Sequence, residues 1–508
     1  MKKNPLLMTD GYKTSHHRMY PEGTTVVYSN YTLRGVDRMP ENAKEIVVFG
    51  QQYVFKYIHD LYDEYFFKQP KEIVIGEAKK YLSSYLNCDY DVSHFEELYD
   101  LGYLPIHVKS LDEGIVISDR IPILTIYNTH PKFFWLPNFL ETLISSLIWK
   151  PVHSASLAYG YKKILTKWVK QTDEKNLGFV NFQGHDFSFR GMQHPESAIS
   201  SGMGFLTSFY GTDTIPTLES VKYYYKSENV AFSVPASEHS VMTAYGKEDE
   251  IGAFKRILDL YPTGIVSVVS DSFDLWKVCT EFVTILKDQI LSRDGGKLVI
   301  RPDSGDPVDI ICGSMYDSSL HFGDGKKINF TANTPEEKGV IELLWEVFGG
   351  TINEQGYKVL DPHIGVIYGD AITLERAEKI CERLALKGFA STNIVFGVGS
   401  YSLGYATRDQ QGGAQKSTYV EVNGVGIEIF KDPVTDNGLK KSARGLLQVV
   451  KTYGSDSLGK LHENGYKLND QVSWDEEKTG ELRTIYLDGV LVKETSLSEI
   501  RERLSQYL

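Results

Sequence analysis

Through the middle of the chain, short apolar runs are each stopped by a polar or glycine-rich cluster, and most lead into a segment with helical spacing. The pattern recurs in GFVNFQGHDFSFRG, GIVSVVSDSFDLWKVCTEFVTIL, KLVIRPDSGDP, IGVIYGDAITLERAEKICERL and NIVFGVGSYS. The runs are continuous rather than alternating, as expected of strands covered on both faces. Strand, acidic or glycine-rich loop, then helix is the plan of a parallel β/α array. In such an array the loops after the strands share one rim and build the site there. The fold class expected is α/β, a β/α barrel over residues 178–404.

The two chain ends read differently. Residues 24–32 and 46–50 read as strands, 51–67 as a helix, and 114–128 as paired strands around a proline turn. Residues 133–149 and 157–170 carry two helical patterns, the first apolar on most faces. Near the other end, Asn423-Gly424 and Asp488-Gly489 each sit between alternating segments, a strong hairpin signal, and an amphipathic helix closes the chain. Residues 1–177 and 405–508 are thus expected to form one surrounding α/β domain, built from both ends.

Composition narrows the class. The 508 residues carry 54 Lys plus Arg against 67 Asp plus Glu, a formal charge of −13. So acidic a chain is a poor binder of nucleic acid or anionic membrane, and a phosphate-rich ligand would have to be held by a few placed arginines. Cys88, Cys279, Cys312 and Cys381 stand far apart with no C-x-x-C pair, which argues for a reducing compartment. No signal-peptide core and no run of ~18 apolar residues is present. A cytoplasmic protein is expected.

The strand ends collect His185, Asp186, Phe187 and Arg190; Asp271 and Ser272; Arg301, Asp303 and Asp306; Gly369 and Asp370; and Gly397 and Gly399. Arginine is the natural fork for phosphate oxygens, and glycine lets backbone N–H groups approach a phosphate. Carboxylates among them repel an anion unless Mg²⁺ or a sugar hydroxyl intervenes, so the combination points to a phosphorylated sugar with Mg²⁺. One Asp-Ser-Gly is ordinarily a capped turn; the argument rests on the recurrence. In SVPASEHS, Pro235 and Ser237 read as a helix start with Glu238 and His239 in its first turn. A helix start favours neutral imidazole and attracts phosphate, although packing or capping would account for the histidine equally well. Asp213 in YGTDTIP reads as a turn, and Asp10, Tyr12, Lys13 and His16 as a capped helical turn. Arg408 and Lys416 flank Gly412-Gly413, a phosphate loop or simply a mobile one. The usual nucleotide-binding glycine fingerprints are missing.

Taken together and in order, TDGYKTSH, HDFSFRG, YGTDT, SVPASEHS, VSVVSDSFD, IRPDSGDP, VIYGD, FGVGS, TRD and FKDP resemble the nicotinamide-using members of the type II phosphoribosyltransferase family. The motifs run from residue 9 to residue 433, most of the chain. The resemblance implies an irregular barrel with a surrounding domain, working as a homodimer with shared sites. It implies transfer of 5-phosphoribosyl from phosphoribosyl pyrophosphate to nicotinamide, giving nicotinamide mononucleotide and pyrophosphate in NAD salvage. Arg301 would then lie near the carboxamide and phosphates, and Asp303 near the ribose and its Mg²⁺, itself held mainly by substrate phosphates. Arg190 and His239 would contact pyrophosphate, Gly369 and Asp370 the ribose end, and Arg408 and Lys416 the phosphates. Phe187 would stack on one face of the pyridine, with Tyr12 of the second subunit on the other and Arg34 from that subunit as well. His239 matches a histidine that ATP phosphorylates as an auxiliary step. Gly399-Ser400-Tyr401 departs from a glycine run in relatives, and the loop 435–441 differs in length.

By the same resemblance Asp213 accepts a hydrogen bond from the carboxamide, and Ser267 is placed to donate to its oxygen. Nicotinate would set carboxylate against carboxylate. Two like charges ~4 Å apart at an effective dielectric of ~20 repel by about 4 kcal/mol, roughly three decades of affinity. Nicotinate use is the nearest alternative. A metal-dependent barrel lyase lacks its expected lysine or base, and a non-catalytic binding protein is the reading from another class.

Overall fold

The computed structural model describes residues 4–314, 334–433, 435, 441–455 and 461–508. Contacts divide the chain into two compact units. The first comprises Met1–Ser156, Glu219–Glu228 and Ala406–Tyr507; the second comprises Leu157–Leu218 and Asn229–Tyr405, with Leu508. Residues 157–177 therefore group with the second unit and 219–228 with the first. Of the loop 435–441, residues 436–440 lie outside the described residues.

The second unit is mixed α/β around a curled, six-stranded parallel sheet. Its spatial order is Gly211–Thr212, Gly184–Asp186, Ile394–Val398, Ile364–Tyr368, Lys297–Arg301, Ile265–Val269. The apolar runs singled out in the sequence supply five of these strands. An extended segment reaches both sheet edges. Thr212 N–H donates to the Phe232 carbonyl at 3.1 Å, Ser267 N–H to Pro235 at 2.9 Å, and Ser237 N–H to Ser267 at 3.0 Å. Pro235 and Ser237 therefore do not start a helix. The helix is His239–Thr243, with Glu238 at its N-cap, and the Ser237 hydroxyl oxygen accepts from Val269 N–H at 3.0 Å. Pairing the open polar groups of two edge strands outweighs the local helix-start preference of Pro235-Ala236-Ser237.

Alternation across the pleat gives the sheet two distinct faces. Val266, Val268, Leu298 and Ile300 are buried in the core. Ile265, Ser267, Lys297, Val299 and Arg301 line an open cavity of about 440 Å³. The runs look continuous in sequence because Phe182, Phe232, Val299 and Val395 make that cavity wall apolar too.

The first unit holds a seven-stranded antiparallel sheet in the order Val425–Glu428, Gly413–Val422, Thr24–Leu33, Pro122–Asn128, Ile106–Ser110, Arg483–Leu487, Val490–Leu491. Segments from both chain ends alternate within it. Both expected hairpins form, with Asn423 and Gly424 at φ 51° and 75° and Asp488 and Gly489 at 47° and 81°. The stretch 114–128 is not a hairpin: Val116–Ile117 pairs with Ile46–Val47, while Pro122–Asn128 joins the large sheet. The two helices expected within 133–170 are largely one, Glu141–Thr172, with Pro151 inside it. Proline in a helix interior costs about 3 kcal/mol, and here residues 151–162 are all buried, which offsets that cost. Among the described residues no helix is long and apolar enough to cross a membrane.

Candidate active site

The strand Lys297–Arg301 delivers Arg301 at its carboxyl end, and the chain then turns at Gly305, whose φ of 92° suits glycine. Asp306 caps the helix that follows, Pro307–Cys312. Its Oδ1 accepts from the N–H of Val308 at 2.9 Å and of Asp309 at 3.3 Å, so this carboxylate is structural. Arg301 donates from Nη2 to the Ser237 carbonyl at 2.7 Å, while its buried Nε has no partner. The Asp303 N–H donates to Asp271 Oδ2 at 2.9 Å, tying two neighbouring strand ends together.

Phe187 sits against glycines on two other strand ends. A Cβ at Gly369 would come within 2.8 Å of its ring, and one at Gly397 within 2.3 Å. The aromatic ring occupies this place because both positions lack side chains. The His185 ring meets it edge-on at 5.0 Å between centroids.

Asp213 is held from two sides. His185 Nε2 lies 3.0 Å from its Oδ1, and the Ser233 hydroxyl donates to the same oxygen at 2.6 Å. Burial alone would raise this carboxyl, but His185, Ser233 and the charge of Arg301 outweigh it and keep the pKa below the ordinary value. The second carboxylate oxygen remains for a ligand. The Ser267 hydroxyl is buried without a partner in the same cavity.

Beside the apolar cavity lies a more polar one of about 600 Å³, lined by Arg190, Ser237, Asp303, Gly369, Gly399 and Ser400 among others. Phe187, Asp213, Ala236 and Arg301 line both. His239 stands half-exposed, with Nδ1 3.0 Å from the Ser272 hydroxyl and Nε2 3.8 Å from Asp303 and 4.0 Å from Asp271. Asp303 is pushed above its ordinary pKa, first by burial and then by Asp271 and Asp370, against Arg301 and His239. Such a carboxylate gains from an incoming cation. Among the described residues no three side chains form a metal-binding group, while Asp271 Oδ1 is buried and unpartnered. That donor set suits Mg²⁺ carried in on a ligand's phosphates better than a metal the protein holds alone.

Of the residues singled out in sequence, Phe187, Arg190, Asp213, Ser267, Arg301, Asp303, Gly369, Asp370, Gly399 and Ser400 line these two cavities, with His239 beside them. Ser400 packs against Gly191, where a Cβ would come within 2.1 Å of its hydroxyl, so the extra side chain has a place made for it. Tyr12, Arg34, Arg408 and Lys416 belong to the first unit. Tyr12 is exposed there, and Arg408 pairs with the adjacent Asp409 at 3.3 Å. The sequence assigned no role to His185 or Ser233 as partners of Asp213. Asp186 is fully buried and binds Ser188 through its backbone N–H and hydroxyl, so it shapes the loop and does not face the mouth.

Comparison with known proteins gives a consistent set of relatives. The Nicotinate phosphoribosyltransferase (NAPRTase) family profile matches residues 182–486, and the Nicotinamide phosphoribosyltransferase N-terminal domain profile matches residues 4–108. The chain is 45% identical to a nicotinamide phosphoribosyltransferase of Acinetobacter baylyi, covering 99% of this chain and 98% of that one. It is 32% identical to another from Xanthomonas campestris pv. campestris, covering 98% and 97%. Among solved structures, a nicotinate-nucleotide pyrophosphorylase from Pyrococcus furiosus matches with a TM-score of 0.53 at 15% identity, covering 99% and 95%. Human nicotinic acid phosphoribosyltransferase matches at 0.52 and 13%, covering 98% and 93%. At these identities the two structures speak for the fold alone.

The raised Asp303 carboxyl has a stability consequence. Its ionised form is disfavoured on folding, so it costs stability above the ordinary carboxylate pKa and costs nothing once protonated in both states. Asp303→Asn is expected to raise the thermal midpoint of the ligand-free protein near pH 7 by roughly 1–3 °C, the gain shrinking as pH falls through the raised folded-state value of Asp303 toward about 4 and absent below it. Calorimetry across that range checks this; a lowered midpoint at pH 7 contradicts it.

Proposed function

The chain belongs to the nicotinate phosphoribosyltransferase family, as an enzyme that joins nicotinamide to the phosphoribosyl group of phosphoribosyl pyrophosphate in NAD salvage, and from that premise we propose how its residues do so. The observation that carries the proposal is the joint between the two cavities at Phe187, Asp213 and Arg301. Nicotinamide occupies the apolar side, its ring on Phe187 and its carboxamide between Asp213 and Ser267. The phosphoribosyl group lies on the polar side along Asp303, Gly369, Asp370, Gly399 and Ser400, with Arg190 and His239 toward the pyrophosphate. Arg301 touches both substrates and fixes the distance between the ring nitrogen and the ribose carbon it attacks.

As pyrophosphate departs, positive charge develops on the ribose and passes to the ring nitrogen. The face of Phe187 favours that pyridinium by cation–π attraction, worth roughly 0.5–2 kcal/mol, and Tyr12 of a second copy supplies the opposite face in a homodimer with shared sites. Arg190 and Arg301, with Arg34, Arg408 and Lys416, stabilise the leaving group where its charge grows. Asp303 and Asp271 would hold Mg²⁺ together with the substrate phosphates, and the ion would neutralise negative charge as it grows on the leaving pyrophosphate. The ring nitrogen attacks with its own lone pair, so no general base is required. His239 is also proposed as the acceptor of the ATP γ-phosphoryl group. Ser272 engages Nδ1 and leaves Nε2 as the nucleophile, with ADP as the leaving group. The second unit is proposed to be the irregular barrel of this family, its two sheet edges joined through residues 232–237, and the protein to be cytoplasmic, which four free cysteines suit.

Use of nicotinate is the reading that Asp213 opposes. Its carboxyl is held ionised and aimed where a substrate carboxylate would lie. Asp213→Asn is expected to cut the preference for nicotinamide over nicotinate by about 10²- to 10³-fold, measured as the ratio of kcat/KM with the two substrates offered in parallel. An unchanged ratio would falsify the role given to Asp213. His239→Ala is expected to abolish ATP stimulation and leave slow ATP-independent turnover, followed as product formed with and without ATP; stimulation that survives in the variant contradicts the phosphorylation step.

A further inference from the structure

The first unit holds a basic cleft of about 230 Å³, which Arg34, Arg120, Lys416 and Lys441 line together with Asn30 and Thr32. Sheet register brings these groups together. Asn30 pairs with Lys416 and Leu33 with Gly413 across one side of the strand Thr24–Leu33, and Thr32 pairs with Pro122 across the other. Arg120, just before that last strand, donates its backbone N–H to the Leu33 carbonyl at 2.7 Å, which carries its side chain into the group that includes Arg34.

Three of the four cations have other engagements. Arg34 Nε donates to the Gly412 carbonyl at 2.9 Å, Lys416 Nζ donates to the Gln415 carbonyl at 2.7 Å and lies 3.9 Å from Glu141, and Lys441 lies 3.5 Å from Asp432. The exposed Arg120 guanidinium has no acidic partner among the described residues. Its backbone is also unusual. Arg120 adopts φ 63°, the left-handed region that favours glycine and strains a residue with a Cβ. An arginine kept in a strained conformation, beside three other cations and with no carboxylate paired to it among the described residues, has the character of a group held ready for an anion.

We propose that Arg120 is a phosphate-positioning residue that completes a four-cation cleft for the diphosphate group of phosphoribosyl pyrophosphate. The proposal rests on the reading that Arg34 and Lys416 meet that substrate's phosphates, and adds to it a residue outside the motifs that identify the family. A planar fork offers two parallel donors to one phosphate, which neither lysine of the cleft provides.

The left-handed backbone supplies a clean test. Arg120→Gly removes the guanidinium and relaxes the main chain, so binding and stability should move in opposite directions. Steady-state kinetics would be measured for the wild type, Arg120→Gly, Arg120→Lys and Arg34→Ala, varying each substrate in turn at saturating partner and fixed ATP, with pyrophosphate as product inhibitor and thermal unfolding alongside. For Arg120→Gly the expected result is a roughly tenfold rise in KM for phosphoribosyl pyrophosphate and a similar weakening of pyrophosphate inhibition. KM for nicotinamide stays within about twofold and the unfolding midpoint does not fall, while Arg120→Lys recovers part of the loss. A rise in both KM values with a lowered midpoint marks Arg120 as structural and overturns the proposal. If Arg34→Ala raises the phosphoribosyl pyrophosphate KM and Arg120→Gly does not, the place given to Arg120 is wrong. If neither variant changes it, the underlying reading of the cleft fails as well.

Discussion

A curled parallel sheet has two edges whose backbone groups must be satisfied, and here one extended segment, Phe232–Ser237, hydrogen-bonds to both. Much of the site depends on that pairing. It sets Ser233 on Asp213 and brings the Ser237 carbonyl to Arg301. It also ends at Glu238, so that His239 begins its short helix beside Asp271, Ser272 and Asp303. Asp213, Arg301 and His239, which carry the proposed function, are thus positioned by the same stretch of main chain. A residue that disturbs the pairing would affect all three together.

The inner face of the sheet serves function at the expense of packing. In a filled barrel, branched side chains would stack in layers. Here Ser267, Gly365 and Val299 leave an open cavity of about 440 Å³ along the sheet. Dispersion contacts are forgone there, and a flat ring gains an apolar slot with few polar groups. Phe187 is the wall of that slot shared with the polar cavity, and Gly369 and Gly397 are the positions that let it lie there. Charge is distributed in keeping with this. Asp213 is held below its ordinary pKa by His185 and Ser233 in the apolar cavity, whereas in the polar one Asp303 is pushed up, first by burial and then by Asp271 and Asp370.

Much of this could be read from the chain by itself. The strand–loop–helix recurrence located five of the six parallel strands, and the Asn-Gly and Asp-Gly turns located both hairpins, because in each case local preference and tertiary structure agree. The failures share a cause. Pro235–Ser237 reads locally as a helix start and Val116–Asn128 as a hairpin, yet each is claimed by strands far away in sequence, which no local pattern reports. Asp306 and Asp271 looked alike as strand-end carboxylates; only geometry separates a helix cap from a group facing the mouth. His185 and Ser233 gained their roles from contacts with Asp213 that bridge 28 and 20 residues. That Arg301 would stand between two substrates was expected from family resemblance, not from periodicity or composition; in the structure it lines both cavities.

The account turns on Arg301 serving both substrates at once, and Arg301→Lys tests this most directly. Lysine keeps the charge but loses the fork that can hold the Ser237 carbonyl while reaching two ligands. Steady-state kinetics with each substrate varied should show KM rising by about tenfold or more for nicotinamide and for phosphoribosyl pyrophosphate alike. A rise for one substrate with the other unchanged would contradict the joint and place Arg301 in a single pocket.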